Sequence, residues 1–519
     1  MTTNTKVATS IAGASVILTL LGVLSKGIGF IREIIYANNF GLSPEFDLFL
    51  VSVALPIVIN TSMIYLAQHY FVPSYNRINH LSESDGKYFF NSTFWWFIIG
   101  GIFIAIILYL FSGLIFHSYL PDISLENRQL GIKIFIMFLV TIPLNAGMSI
   151  IMAFQQARFK FAYPAVSLIL LNVVVIILVL LFSDLLGILI LPISFVIAYL
   201  SAFIFLIVLV KEDLKLLSLD LFKVKYEFSE LRIIISLIVI EVSSLSYVLI
   251  DRYFISEVSV GGIAALNYAF VIFALPISLF SIPLITTLFP KFSSSPETLQ
   301  TDFENGYGMI FFIMIPFMFI FYFWGDLFLF LFYERGKFTS SDTALTYSVL
   351  MNYSFGLIFI STYQLTVKIF YSLNKYIIVL GISIIAILIK YTLNLWLVEE
   401  FQQDGLALST SLVYLFLLIS SISIISLRFD VVEIKKFILK LLYLLTSALF
   451  AYLATKIMIS FINIVDIYLT AIMFISFVSL YILNSYYSKI QEFELINSTV
   501  RNLLNVKKNK ANTSFNGIK

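Results

Sequence analysis

The sequence predicts an all-α polytopic membrane protein of about fourteen transmembrane helices, in two pseudo-symmetric six-helix lobes plus two C-terminal helices. Three observations carry that prediction: the composition, the spacing of the apolar stretches, and an internal repeat. Of 519 residues, 60% are hydrophobic and only 12% are charged, with a mean hydropathy of +1.00. A soluble domain is nearer 45–50% apolar and about 25% charged. Fourteen spans of about 20 residues would take roughly 280 residues and leave short loops, which excludes a sizeable water-soluble catalytic domain. The chain has no Cys and three His, so neither a disulfide framework nor a thiolate or histidine metal site is expected.

Apolar stretches place spans 1 to 14 at about 12–37, 46–71, 89–116, 131–155, 162–183, 187–210, 231–256, 262–288, 307–333, 343–372, 376–398, 405–427, 437–461 and 465–487. Span 1 is not read as a cleavable signal, because Lys26 and Arg32 interrupt its apolar run. Charge then orients the set. Of the 32 Lys and Arg, 22 fall in the two ends and the even-numbered loops, including Arg158, Lys211, Lys375 and Arg428. Four (Arg128, Lys133, Arg335 and Lys337) fall in the other loops, which carry acids such as Glu399, Glu400 and Asp404. By the positive-inside rule both termini are cytoplasmic.

The repeat has an offset of 220 residues: Arg32 precedes Leu55-Pro56 as Arg252 precedes Leu275-Pro276, and Asp47 matches Asn267. Spans 1–2 therefore correspond to spans 7–8. An even number of intervening spans makes the repeats parallel, related by an axis along the membrane normal, a pattern of transporters. The domains expected are an N-lobe (1–225, spans 1–6), a C-lobe (226–430, spans 7–12), spans 13–14 (431–488) and a cytoplasmic tail (489–519).

Six basic residues lie inside spans: Lys26, Arg32, Arg252, Lys368, Lys390 and Lys456. Each costs about 2.5–3.5 kcal/mol at a span centre, so each needs a cavity, a partner or a route to the interface. Arg32 and Arg252 lie near outer span ends, where they either snorkel or face a cavity; Lys456 is read as snorkelling. Lys26 is deeper and shares a helical face with Gly22, Gly29 and Glu33. That face leaves room for a ligand or for close helix packing, and Lys26 either contacts an anion or pairs with Glu33 or Asp47. In span 7, Glu241, Ser244 and Arg252 share a face; span 11 offers Lys390 and Asn394 one turn apart, and span 10 offers Gln364 and Lys368. Asn145 and Asn172 are expected in interhelical hydrogen bonds. No Gly-rich run ending in Gly-Lys-Ser/Thr is present, so neither ATP nor nucleic acid is an expected partner, no cofactor is expected, and an ion gradient or the membrane potential would supply energy. The basic cluster Lys507, Lys508 and Lys510 is read as a disordered tail beside anionic lipid.

Ser25-Lys26-Gly27-Ile28-Gly29-Phe30-Ile31-Arg32-Glu33 resembles the opening span of the MurJ/MviN family of lipid II flippases, and Phe40-Gly41, Asp47, Leu55-Pro56 and Phe71-Val72-Pro73 continue the likeness. So do Tyr333-Glu334-Arg335-Gly336-Lys337-Phe338-Thr339 and Gly405-Leu406-Ala407-Leu408-Ser409. The resemblance implies a MATE-like fold and export of an undecaprenyl-pyrophosphate-linked glycan to the outer leaflet, with glycan polymerases or glycosyltransferases as protein partners. It makes Lys26, Arg32, Asp47, Asn60 and Arg252 the candidate substrate-binding set. Family members can also hold sodium between spans 7 and 11; here Lys390 would place its ammonium there, opposite Glu241, so Glu241, Lys390, Asn394 and Lys368 form an ion-coupling or lobe-pairing set. Where lipid II flippases carry an arginine pair after the Leu-Pro of span 2, this chain has Asn60 and Thr61, and their span 8 arginine is Val271. The substrate is thus a lipid II-like precursor or, favoured by the missing cations, an exopolysaccharide, capsule or O-antigen repeat unit. Two other classes are weighed: a MATE-type ion-coupled drug antiporter, which would be expected to have a net acidic cavity and twelve spans, and a non-transporting membrane partner of glycan-synthesis enzymes.

Overall fold

The computed structural model describes residues 22–119, 123–211, 228–294, 296–459, 466–494 and 497. The start of span 1 (12–21) and the basic tail with Lys507, Lys508 and Lys510 lie outside these residues. Among them the regular structure is helical throughout, without a strand. In a bilayer a helix satisfies every backbone group within its own segment, so apolar runs of this length have no other open solution. Eight of the described helices are long and apolar enough to cross a membrane, or nine if the pair Ser340–Ser354 and Gly356–Ser372, bent by 43°, is one span.

Two of these helices are too long for one crossing. The run Ala162–Val210 has 49 residues and breaks at Gly187 (φ +54°), after which Ile190–Val210 packs back on Ala162–Leu186. Tyr376–Phe429 has 54 residues, with Gln402 outside helical geometry at φ 49°, ψ −129°. There the Lys390 ammonium reaches the Leu406 carbonyl at 3.0 Å. Sixteen residues of straight helix would separate them by about 24 Å, so the chain reverses between them and spans 11 and 12 are two passes.

The helix through residue 40 stops at Gly41 (φ +55°), and span 2 starts afresh at Pro44–Leu66, with Ser43 Oγ accepting from the Phe46 N–H. Proline at the first helical turn is tolerated because its missing N–H is unused there. Span 2 continues through a π-turn, Ala67–Phe71, into Val72–Leu81. Span 8 is built alike: Gly262–Pro276, a π-turn Ile277–Ser281, then Ile282–Ser294. Each π-turn ends two residues before a proline, Pro73 or Pro283. Proline removes one i→i−4 bond and crowds the carbonyl four residues back, and the widened turn absorbs that clash.

The 220-residue repeat is visible at its corners. Gly41 and Gly261, equivalent under that offset, both adopt positive φ, +55° and +81°. A Cβ on Gly41 would stand 2.5 Å from the Lys337 carbonyl oxygen, and one on Gly261 2.5 Å from Leu42.

The chain divides into two compact units, Met1–Tyr268 with Phe332–Thr346 and Ser383–Leu406, and Ala269–Leu331 with Tyr347–Ile382 and Ala407–Lys519. In the first, Phe71, Phe89, Phe90 and Phe154 form the inner core, Phe90 and Phe154 stacking at 4.0 Å. In the second, Phe323 stacks on Tyr452 at 3.9 Å beside Trp324 and Phe477. There Lys440 of span 13 pairs with Glu492, which follows span 14 and is 3% exposed, and both pack against Gly308. Phe103, Leu110, Trp396 and Phe450 stand exposed on outer helix faces, as lipid-facing side chains do.

Gly41→Ala and Gly261→Ala are each expected to lower stability by about 1–3 kcal/mol, since a side chain meets both left-handed strain and a backbone clash. Gly381→Ala, in a helix with open space around it, should be neutral or slightly stabilising. Thermal unfolding of the detergent-purified variants checks this.

Candidate functional site

Two groups of charged and polar side chains sit inside the first unit. The first is a reciprocal tie between the two repeats. Asp47, from span 2, accepts from the Gly261 N–H at 2.7 Å and the Ala264 N–H at 2.6 Å. These amides open span 8, where unsatisfied N–H groups and the helix dipole favour an anion. In return Asn267, the residue equivalent to Asp47, donates to Glu33 Oε2 at 3.3 Å. Glu33 Oε1 takes the Arg32 Nη2 at 2.6 Å, and Arg32 Nη1 donates to Asn172 Oδ1 at 2.9 Å. The same guanidinium lies 5.5 Å from the ring centres of Tyr36 and Phe195. Arg252 is buried and donates to the Ile263 carbonyl at 3.1 Å.

Of the candidate substrate-binding residues, Arg32, Asp47 and Arg252 thus belong to this corner. Asn60 is buried, donating to Thr141 Oγ1 at 3.0 Å, while its carbonyl accepts from Asn145 at 2.8 Å. Asn145 and Asn172 make the expected interhelical bonds. Lys26 differs from all of these. It is exposed, and a Cβ on Gly22, Gly27 or Gly29 would meet nothing within 4 Å. Those glycines therefore bare a helix face without seating a described neighbour closely. Glu33 goes to Arg32 and Asn267, and Asp47 to a helix start.

The second group corrects the expected partner of Lys390. Its ammonium, fully buried, meets Asp251 Oδ1 at 2.7 Å as well as the Leu406 carbonyl, and Asn394 Nδ2 donates to the same Asp251 oxygen at 2.8 Å. Glu241, half-buried, lies ten residues earlier in span 7, about 15 Å along the helix. The span pair was right and the depth was not. Asp251 was the residue missed. Two polar side chains one turn apart on span 11 need an acid at their own depth, and the acid beside Arg252 was the signal.

In the second unit Lys368 of span 10 is half-buried, its ammonium 5.3 Å from the Phe289 ring centre and 5.4 Å from that of Tyr371. Among the described residues no three His, Asp or Glu side chains gather as a metal cage.

Removing one partner of the buried pair should hurt more than removing both. Asp251→Asn leaves an uncompensated ammonium and is expected to cost about 3–5 kcal/mol, whereas Asp251→Asn with Lys390→Met should recover most of that. Melting temperatures and folded yield of the two variants read this directly.

Comparisons with known proteins bear on the fold and the family. The family model for the lipid II flippase MurJ matches residues 36–484. The probable lipid II flippase MurJ of Buchnera aphidicola subsp. Schizaphis graminum is 25% identical over 421 residues, covering 76% of this chain and 79% of its own. The lipid II flippase MurJ of Thermosipho africanus is 24% identical, covering 78% and 83%. Among solved structures, a lipid II flippase MurJ in an inward closed conformation matches with a TM-score of 0.77 at 22% identity, over 91% of this chain and 99% of its own. An inward-facing multidrug resistance MATE family transporter of the MOP superfamily matches with a TM-score of 0.63 at 12% identity, over 77% and 92%. The fold is thus the one shared by MurJ and MATE transporters. Since the family match runs from the end of span 1 into span 14, the chain belongs to the MurJ lipid II flippase family.

Proposed function

We propose that this chain carries a polyprenyl-pyrophosphate-linked glycan, a lipid II-like precursor or a polysaccharide repeat unit, from the cytoplasmic to the outer leaflet by alternating access. Membership in the flippase family is the observation that carries this reading. An even number of crossings, with the basic residues gathered in the even-numbered loops, favours both termini on the cytoplasmic side of a bacterial inner membrane. Lys26 supplies the pyrophosphate contact, because it is a cation at membrane depth on a helix face that glycine keeps open. Arg32, Glu33, Asp47 and Arg252 hold the repeats together at the outer end, and opening that end is the step that releases the glycan. Lys390, Asp251 and Asn394 pair spans 7 and 11, with the ammonium as a fixed cation. The reduced cation set favours a repeat unit that lacks further anionic groups.

Lys26→Ala should cut delivery of lipid-linked glycan to the outer leaflet by about tenfold or more at normal protein level, and Lys26→Arg should keep most of it. Export from cells that rely on this chain measures both, and unchanged export by Lys26→Ala would sink the role. The cysteine-free sequence also permits a topology test. A membrane-impermeant maleimide applied to intact cells should label Ser341→Cys, between spans 9 and 10, and leave Ser84→Cys, between spans 2 and 3, unlabelled.

A further inference from the structure

The second unit holds polar groups that neither the fold nor the sites above account for. They gather where the π-turn Ile277–Ser281 of span 8 packs against the helix Gly356–Ser372 of span 10. Ser281 and Ser361 are buried, at 1% and 0% exposure. Among the described residues neither hydroxyl has a hydrogen-bond partner, and the same holds for the buried amide oxygen of Gln364. A buried polar group left in that state costs about 1–3 kcal/mol, and native structures show few without a reason.

Their arrangement is ordered. Ser361, Gln364 and Lys368 are spaced i, i+3 and i+7, so they share one face of span 10 over about 10 Å. Lys368 ends that row. Its ammonium lies over the Phe289 and Tyr371 rings and meets no carboxylate within 4 Å among the described residues. Span 8 adds Ser281 from a π-turn, a distortion that often marks functional positions in helices. The donor and acceptor types are informative. The ammonium and the serine hydroxyls can all donate, which suits phosphate oxygens. The unmet atom of Gln364 is an acceptor, which suits a sugar hydroxyl or an acetamido N–H. A sugar attached through phosphate presents these two chemistries side by side.

We propose that the seam between the span 8 π-turn and span 10 is a subsite for the glycosyl-phosphate end of the transported lipid, with Lys368 on the phosphate and Gln364 reading the first sugar. This rests on the flippase reading above and adds a recognition element in the second unit. Substrate specificity is then set partly by a neutral amide and not by cations alone.

The test uses the full chain in nanodiscs and two probes: farnesyl diphosphate, and farnesyl diphosphate bearing N-acetylglucosamine. Lys368→Gln should weaken both by about tenfold, whereas Gln364→Leu should weaken only the sugar-bearing probe by about tenfold. In a merely structural role Gln364→Leu would be neutral or stabilising, since it removes an unsatisfied amide from the interior, so its melting temperature is read alongside. A Ser281→Ala variant, the smallest change in the seam, should weaken both probes in the same direction as Lys368→Gln. If the unaltered chain binds both probes and the three variants bind them equally well, the subsite is wrong while the flippase reading stands. An equal loss on both probes for Gln364→Leu also overturns the sugar contact. Failure of the unaltered chain to bind either diphosphate sinks the flippase reading, and the subsite with it.

Discussion

The carboxylate of Asp47 on the first amides of span 8 is the contact around which this corner of the first unit is arranged. A helix start inside a membrane protein exposes N–H groups that neither water nor lipid will satisfy. Here the missing acceptor comes from the other repeat. The reverse contact, Asn267 on Glu33, draws Arg32 into the same group, and Arg32 in turn fixes Asn172 of span 5. The glycine corners make this possible, because Gly261 lies against Leu42, the residue after Gly41. A bulkier corner would hold the carboxylate away from the amides it caps.

Buried charge is handled by two strategies. Lys390 is enclosed and neutralised at once by a carboxylate, a carbonyl and a neighbouring amide that steadies the carboxylate. Such a pair is weak evidence for stability, because desolvation offsets much of the attraction, yet it specifies sharply which helix faces which. Lys368 is treated differently, half-buried with its ammonium over the Phe289 and Tyr371 rings.

The architecture was legible wherever residue types repeat. The apolar run lengths pointed to an all-helical membrane fold, and Arg32 with Arg252 and Pro56 with Pro276 to a repeat whose corner glycines, Gly41 and Gly261, both take positive φ. What the sequence left open was partnership across helices. A helical wheel shows which residues share a face but not the depth of another span, so Glu241 stood in for Asp251 at a misplacement of under three turns. The substrate set shows the same limit. Asp47 and Asn60 are polar residues in the right spans, and only packing shows that one caps a helix and the other bonds Thr141. Nor could the unmet hydroxyls of Ser281 and Ser361 be read in advance, because an isolated serine in a span normally bonds its own helix carbonyl.

The pairing of Lys440 with Glu492 bears on how the chain is made. Lys440 is made at the start of the helix of span 13, yet its carboxylate partner comes 52 residues later, after span 14. At about 5–20 residues per second of synthesis, that ammonium waits several seconds for its counter-charge. A product that stops short of Glu492 never acquires it and keeps a mostly enclosed, uncompensated cation beside Gly308. Completion of the last span is thereby coupled to the stability of the one before it, and prematurely ended chains carry a built-in mark for membrane proteolysis.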